Sequence, residues 1–138
     1  MPTSEEIAWA AGLFEGEGCI ALDTYWTSSK RRHRLALSLG MTDEDVVTRF
    51  VQIVGVGRVR LQNRDNGWVQ PHWRDQYLWE IGGRKDCLRI AAMFLPYLGT
   101  RRRKKLVECL SAMDTVDLRS GKQADWADEL IALRKALS

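Results

Sequence analysis

Two carboxylates, Glu15 and Glu17, stand in the segment 10–18 (AAGLFEGEG). Apolar residues at helical spacing predict a helix over residues 5–17, which Ser4 would cap and Gly18 would end. Both acids then fall in the last turn, where the negative helix dipole disfavours each of them by ~0.3–1 kcal/mol. Carboxylate oxygens are the ligands that Mg²⁺ prefers. Acids at a position that folding alone disfavours indicate divalent-cation chemistry.

Small residues recur on the same predicted helix. Ala8, Gly12 and Gly16 are spaced four residues apart, so one helix face is nearly bare. Bare faces let two helices approach closely. If two copies packed across a two-fold axis, their Glu17 side chains would converge and repel each other, and bound Mg²⁺ would reverse that balance. The pattern favours catalysis over a segment selected only for folding.

Positive charge is clustered rather than spread. The net charge is only +3, yet residues 30–34 (KRRHR) and 101–105 (RRRKK) are dense basic runs, and Arg58, Arg60 and Arg64 add a basic stripe. Clustered positive charge attracts a phosphate backbone. Either run taken singly is more simply a solvated surface. Their combination indicates a nucleic-acid partner.

The elements that would position these residues follow the order strand, strand, helix twice after the first helix. Alternating or β-branched runs predict strands over residues 19–26, 34–41, 58–62 and 73–81. Helical spacing predicts a helix that Thr42 caps with Asp45, one that Pro96 ends, and two more around residues 101–113 and 124–137. This order predicts a single α+β domain, residues 1–138, with helices on one face of an antiparallel four-stranded sheet.

The other sheet face is predicted to be polar. In residues 34–41, Leu35, Leu37 and Leu39 alternate with Arg34 and Ser38. The open face would also carry Asp23, Tyr25, Arg58, Arg60 and Gln62. Long hydrogen-bonding side chains on such a face suit base edges in a major groove, although the wet side of any antiparallel sheet is also polar.

Composition excludes several classes of protein. The three cysteines and two histidines form no C-x-x-C pair or zinc-ligand spacing, which also argues against a disulfide framework and favours a reducing compartment. No apolar run is long enough for a bilayer, and the N-terminus has no export signal. We therefore expect a protein that is not secreted.

Residues 10–18 resemble the signature of the LAGLIDADG homing endonuclease family. The residues that match it outright are Ala11, Gly12, Leu13 and Gly18. Glu15 and Glu17 stand where the family most often has aspartates. Residues 54–59 (VGVGRV) resemble the family's turn into its third strand, and residues 94–98 (FLPYL) its approach to a catalytic basic position. The resemblance covers residues 7–110.

The resemblance implies the family's fold, αββαββα with a saddle-shaped four-stranded sheet, here with extra C-terminal helices. It implies a sequence-specific double-strand DNA endonuclease, a homodimer on a long pseudo-palindromic site, without a membrane or small-molecule substrate. Two-metal phosphodiester hydrolysis would use Mg²⁺, with Mn²⁺ substituting and Ca²⁺ binding without supporting cleavage. The location would be the cytoplasm or nucleoid of a bacterial or phage-infected host, or an organelle.

The resemblance also implies roles for the motif residues. Glu17 would be the metal ligand, with the backbone carbonyl of Gly16 as a further metal contact. Glu15 would tether neighbouring groups rather than bind metal. The dimer interface would comprise Ala8, Ala11, Gly12, Glu15 and Gly16.

Two further residues, Asp43 and Arg101, match catalytic positions of the family. Asp43 would position a water, or it only stabilises a helix N-terminus, and the two roles are compatible. Arg101 stands where relatives often have a lysine; it would stabilise charge but not accept a proton, and Lys104 is the alternative occupant of that position. A second basic residue of some relatives is absent, since Val46 and Val47 stand there. That absence puts efficient turnover in doubt.

The resemblance and the open face together suggest a set of DNA contacts. These are Asp23, Tyr25, Thr27, Lys30, Arg32, Arg34, Ser38, Arg58, Arg60, Gln62, Arg64, Asp75 and Tyr77. Arginines would pair with guanine and Gln62 with adenine. Trp26 and Trp68 lie near hairpin tips, where contact with DNA is also open. The register of the fourth strand stays open, since Tyr77 and Trp79 share one parity and Leu78 takes the other.

Two other hypotheses retain the fold. The first is a DNA-binding regulator or RNA-splicing protein that does not cleave, and the second is an inactive relic. Descendants of the binding-only class typically lose the acids. Both Glu15 and Glu17 remain here, which favours cleavage.

Overall fold

The computed structural model describes residues 1–27, 29–62, 75–115 and 121–138. Its strands are β1 (Gly18–Thr27), β2 (Lys30–Met41), β3 (Arg58–Gln62) and β4 (Gln76–Ile81). Its α-helices are α1 (Ser4–Glu17), α2 (Glu44–Val54), α3 (Arg84–Phe94), α4 (Thr100–Ser111) and α5 (Ala127–Leu137), with a 3-10 helix at Leu95–Tyr97. The predicted α+β order, with extra C-terminal helices, is confirmed.

The four strands form one antiparallel sheet in the order β1-β2-β4-β3. β2 begins at Lys30, four residues before the predicted start. The reason is that every residue of β1 pairs with β2, from Gly18 opposite Leu39 to Thr27 opposite Lys30. β4 lies between β2 and β3 and pairs with both. The sheet joins all the strands that carry predicted contact residues.

The hydrophobic core lies between one face of the sheet and the helices. Alternate residues of β2 are buried there, as their spacing predicts. Phe50 of α2 meets Trp79 of β4 edge-on, with ring centroids 4.8 Å apart. The Trp79 indole also donates a hydrogen bond to the Val56 carbonyl at 2.9 Å. Burial of such rings is worth ~1.5–3 kcal/mol each, so the helices hold the sheet firmly.

Two predicted helix caps are wrong. Thr3, not Ser4, caps α1, since the Glu6 amide donates to Thr3 Oγ1 at 3.1 Å and the Thr3 amide to Glu6 Oε1 at 2.9 Å. Asp43, not Thr42, is the N-cap residue of α2, and its side chain makes no capping bond. The first backbone bond of α2, from Val47 N to Asp43 O, sets that boundary. The Asp43 carboxylate is therefore not used for capping.

The fourth strand has a defined register. Trp79 and Ile81 are buried, so their parity faces the core, and Leu78 and Glu80 face the open side. Tyr77 shares the core parity and packs against the core. The prediction that Tyr77 contacts DNA is therefore wrong, because the pairing of Tyr77 with Met41 turns its side chain to the helix side.

Gly57 leads the chain into β3 with φ 94°, and an added Cβ would lie 2.9 Å from the Glu80 carbonyl oxygen and would clash with the Trp79 indole nitrogen. We expect Gly57→Ala to lower the free energy of unfolding by about 3 kcal/mol, from strain and overlap together. Gly55→Ala is the matched control, because its φ is 74° but no atom lies within 4 Å of an added Cβ. It should cost about 1 kcal/mol in urea unfolding. Equal losses would contradict this account of β3 placement.

Across the described ranges, none of the helices combines the length and apolar character needed to cross a lipid bilayer.

Candidate catalytic end and nucleic-acid interface

Helix α1 presents one open face and one buried face. Gly12 and Gly16 are exposed, and a Cβ added to either would meet no atom within 4 Å. Ala8 is half-buried beside them. Ala11, in contrast, is fully buried in the core of its own chain, so its predicted place in a dimer interface is wrong. It lies about 100° around the helix from Gly12, which turns it inward.

Glu17 is exposed at the last position of α1. The next residue, Gly18, already belongs to β1 and pairs with Leu39. A side chain at Gly18 would overlap the Phe14 ring, so glycine lets the helix pass into the strand without a loop. Glu17 is thereby held at the end of the β1–β2 hairpin that is remote from its turn.

Asp43 is exposed at the same end of the hairpin, two residues after β2 ends at Met41. Sheet pairing therefore brings Glu17 and Asp43 to the same end of the β1–β2 hairpin, and their catalytic roles stay predictions. The Asp43 side chain lies at the N-terminus of α2, where the helix dipole favours an anion. Both roles predicted for Asp43 fit this position.

The Glu15 side chain packs against the turn before α4. An added Cβ at Gly99 would lie 2.8 Å from Glu15 Oε1, and Glu15 Oε2 is buried with no hydrogen-bond partner among the described residues. Arg102 Nη2 donates to the Glu15 carbonyl at 3.2 Å. The Glu15 side chain therefore lies between α1 and the turn before α4, and its predicted tethering role stays a prediction. Arg102 links the two helices. The sequence prediction missed this role because Arg102 stands within a run of five basic residues.

The basic run 101–105 divides into two groups. Arg103 donates to the carbonyls of Leu95 (2.8 Å) and Leu98 (3.0 Å) around the 3-10 helix, whereas Arg102 donates to the Glu15 carbonyl of α1. Arg101 and Lys104 are exposed, since the inward face of α4 is apolar. Arg101 thus directly precedes a residue that contacts the last turn of α1. Both candidates for the catalytic basic position remain accessible.

The open face of the sheet forms a polar groove. Side chains on this face alternate along all four strands, and the groove of about 610 Å³ is lined in part by Asp23, Arg34, Ser38, Arg58 and Glu80. The prediction of a polar face opposite the core matches this arrangement. Gln62 and Arg60 lie on the same face of β3, beyond the groove lining.

Arg34, Arg58 and Arg60 each contact a carboxylate on the open face. Arg34 Nε lies 3.3 Å from Asp23 Oδ2, and the Arg34 guanidinium carbon is 5.7 Å from the centre of the Tyr25 ring. Arg58 and Arg60 share Glu80 Oε1 at 3.1 and 3.3 Å. Glu80 was missed by the sequence prediction, because its face depends on the register of β4.

The remaining predicted contacts differ in accessibility. Arg32 is only 6% exposed, and a side chain this buried contradicts the prediction that it contacts DNA. Lys30 and Asp75 are exposed. Arg64, Trp68 and the side chain of Thr27 lie outside the described residues.

Tyr77 lies beside acidic groups on the helix side of the sheet. The negative charge of Glu44 raises the pKa of its hydroxyl, and burial, a hydrogen bond with Glu44 and the charge of Asp75 act in the same direction. The hydroxyl therefore stays protonated at neutral pH. Glu44 and Asp75 therefore lie near Tyr77, at the end of the sheet where β2 leads to Asp43.

Solved structures share this fold. The archaeal intron-encoded homing endonuclease I-Vdi141I, complexed with DNA, has a TM-score of 0.57 at 10% identity over 96% of each chain. The homing endonuclease I-CvuI, bound to uncleaved I-CreI target in the presence of Mg, has a TM-score of 0.55 at 20% identity, over 96% of this chain and 94% of that one. The LAGLIDADG homing endonuclease I-GzeII, in complex with its DNA target, has a TM-score of 0.58 at 16% identity, over 96% of this chain but 44% of its own.

No protein-family model matches the chain, and no curated protein matches it. The structural matches show that the chain has the LAGLIDADG homing endonuclease fold.

Proposed function

We propose that this protein is a sequence-specific double-strand DNA endonuclease that acts as a homodimer with divalent metal ions. The observation that carries the proposal is the exposed carboxylate of Glu17 at the end of a helix whose Gly12–Gly16 face is open. A fold needs neither feature for stability. Both have a use when a second copy and a metal-bound phosphate complete the site.

The homodimer would form through α1. A second α1 packed on the open face would contact Gly12 and Gly16 at close backbone distance. Its last turn would then bring a second Glu17 next to the first. The two sheets would extend on either side, which suits a long pseudo-palindromic target.

The DNA would lie along the open sheet faces. Arg34, Arg58, Arg60 and Gln62 project there, with Lys30 at the hairpin end. A four-stranded face of this kind fits a major groove, where arginine and glutamine distinguish base edges. The structures of I-Vdi141I and I-CvuI hold DNA, which supports the same use of the fold here.

Mg²⁺ would bind at Glu17, with Mn²⁺ able to substitute and Ca²⁺ binding without cleavage. Among the described residues, no group of three or more His, Cys, Asp or Glu side chains would hold a metal by itself. The exposed Glu17 carboxylate and the Gly16 carbonyl are hard oxygen donors, which fit Mg²⁺ once partner and phosphate oxygens are added. Bound Mg²⁺ would supply a polarised water and neutralise charge on the phosphate.

The other residues would act around that centre. Asp43 would orient the attacking water, since its carboxylate makes no capping bond. Arg101 or Lys104 would stabilise charge at the scissile phosphate. Arginine stays protonated, so only Lys104 would be able to exchange a proton.

A second candidate function is DNA binding, or RNA splicing, without cleavage. Val46 and Val47 stand where some relatives have a second basic residue, and Val47 is buried in the core. Arg34, Arg58 and Arg60 are also neutralised in part by the carboxylates of Asp23 and Glu80. Both observations fit a protein that selects a site but turns over slowly.

A selection and cleavage experiment with the wild-type protein distinguishes between these functions. Duplexes that it binds are selected from a randomised library, cloned into supercoiled plasmid, and incubated with protein in Mg²⁺, Mn²⁺, Ca²⁺ or EDTA. We expect linear product with Mg²⁺ and Mn²⁺ only. Tight binding that never leads to cutting under Mg²⁺ or Mn²⁺ would support the binding-only function and contradict the endonuclease.

A further inference from the structure

Glu80 of β4 contacts two arginines on the open face of the sheet. Its Oε1 accepts hydrogen bonds from Arg58 Nε at 3.2 Å and Nη2 at 3.1 Å, and from Arg60 Nε at 3.3 Å. Arg58 lies directly opposite Glu80 in the β3–β4 pairing, and Arg60 lies two residues further along the same face. Strand register therefore builds this three-residue cluster.

Stability gives little reason for the cluster. The side chains of Arg58, Arg60 and Glu80 are 79%, 51% and 29% exposed, and ion pairs this exposed contribute little to folding. The carboxylate also lowers the charge of the cluster from +2 to +1. A negative group in the groove would repel a phosphate backbone, so Glu80 opposes non-specific affinity for DNA.

The contact leaves one arginine ready to recognise a base. Arg60 uses only Nε toward Glu80, and its two terminal nitrogens make no hydrogen bond to the described part of the chain. A guanidinium presented end-on donates two hydrogen bonds to O6 and N7 of guanine. Since Glu80 already restrains the side chain, less rotamer entropy is lost on binding.

We propose that Glu80 is a specificity-determining positioning residue. It holds Arg60 for readout of a guanine and withholds Arg58 and Arg60 from backbone phosphates. The inference rests on the proposed DNA-binding function and names how that site discriminates between sequences.

Glu80→Gln tests the role, because glutamine keeps the volume and removes the charge. The probes are a random-sequence duplex pool and the duplex that wild-type protein selects from it. We expect affinity for the pool to rise about three- to tenfold, with a salt slope steeper by about 1, since a released arginine reaches a phosphate. The ratio of selected-duplex to pool affinity should fall at least about tenfold.

Glu108→Gln is the matched control. This substitution makes the same change in charge at an exposed residue of α4, outside the groove. It should leave the ratio of selected-duplex to pool affinity unchanged. Circular dichroism melting of each variant checks that the fold is retained.

Arg60→Lys is a second, independent variant. It keeps the charge but loses the planar fork, so affinity for the selected duplex should fall about tenfold while pool affinity stays within about twofold. This result does not depend on whether Glu80→Gln folds.

Two results would overturn the role of Glu80. One is a folded Glu80→Gln variant with wild-type pool affinity and salt slope. The other is a parallel loss of affinity for both probes in Glu80→Gln and Arg60→Lys. If wild-type protein binds neither probe, the proposed function itself fails. If wild-type protein binds both probes and Glu80→Gln changes neither affinity, only the role of Glu80 is removed.

Discussion

Glu17→Gln should abolish Mg²⁺-dependent DNA cleavage, by at least about a thousandfold in rate, while DNA affinity stays within about threefold. The amide has the same volume but lacks the charge that a divalent cation requires. Glu17 is exposed and makes no hydrogen bond or ion pair with the described residues, so the fold should not change. Plasmid linearisation at saturating protein measures the rate, and filter binding in Ca²⁺ measures the affinity.

Glu5→Gln is the control for that experiment. It makes the same change in charge in the first turn of the same helix, far from the catalytic end. It should cleave at the wild-type rate. Retention of cleavage by Glu17→Gln would remove Glu17 from the reaction, and loss of both binding and cleavage would instead indicate that the dimer or the fold had changed.

Gly12→Leu should convert the dimer to a monomer, weakening self-association at least about a hundredfold, or ~3 kcal/mol. An added Cβ at Gly12 meets no atom within 4 Å, so leucine fits the single chain. Leucine also has a higher helix propensity than glycine by up to ~1 kcal/mol, so the monomer should unfold no more easily than wild type. Sedimentation velocity reports the mass, and urea unfolding reports the stability.

Ala132→Leu controls for the added apolar surface. Ala132 is an exposed small residue of α5, on a helix that the proposed interface does not use. The variant should remain a dimer. A stable Gly12→Leu dimer would count against packing through α1, and a monomeric wild type would do so without any substitution.

The two variants separate assembly from chemistry. Glu17→Gln should stay dimeric and lose cleavage only, whereas Gly12→Leu should lose both assembly and cleavage. In the proposed site each chain would supply one carboxylate, Glu17, so loss of assembly should also remove cleavage.

Much of the fold could be predicted from local patterns. The alternation in residues 34–41 correctly predicted which face of β2 is buried. The bounds of β3 were also predicted correctly. The paired acids and the small residues of α1 also stood out in the sequence. These features depend on neighbours two to four residues apart, which is the range over which strand and helix periodicity operates.

Within the basic run 101–105, sequence alone could not separate the residues by role. All five carry a positive charge, yet Arg102 and Arg103 bind backbone carbonyls and Arg101 and Lys104 are exposed. The rotation of α4 relative to α1 and the 3-10 helix decides which basic side chains face inward. A run of five basic residues contains no pattern that predicts this rotation.

The sequence by itself determined the elements, their order, the acids at the end of α1 and its bare face, because each follows from short-range spacing and side-chain chemistry. Only the tertiary structure decided that Ala11 and Arg32 are buried, that Tyr77 faces the core, and that Glu80 meets two arginines. Those outcomes depend on strand register and helix phase between segments distant along the chain. Such pairings depend on how the whole core packs, so they cannot be predicted from any short segment of the sequence.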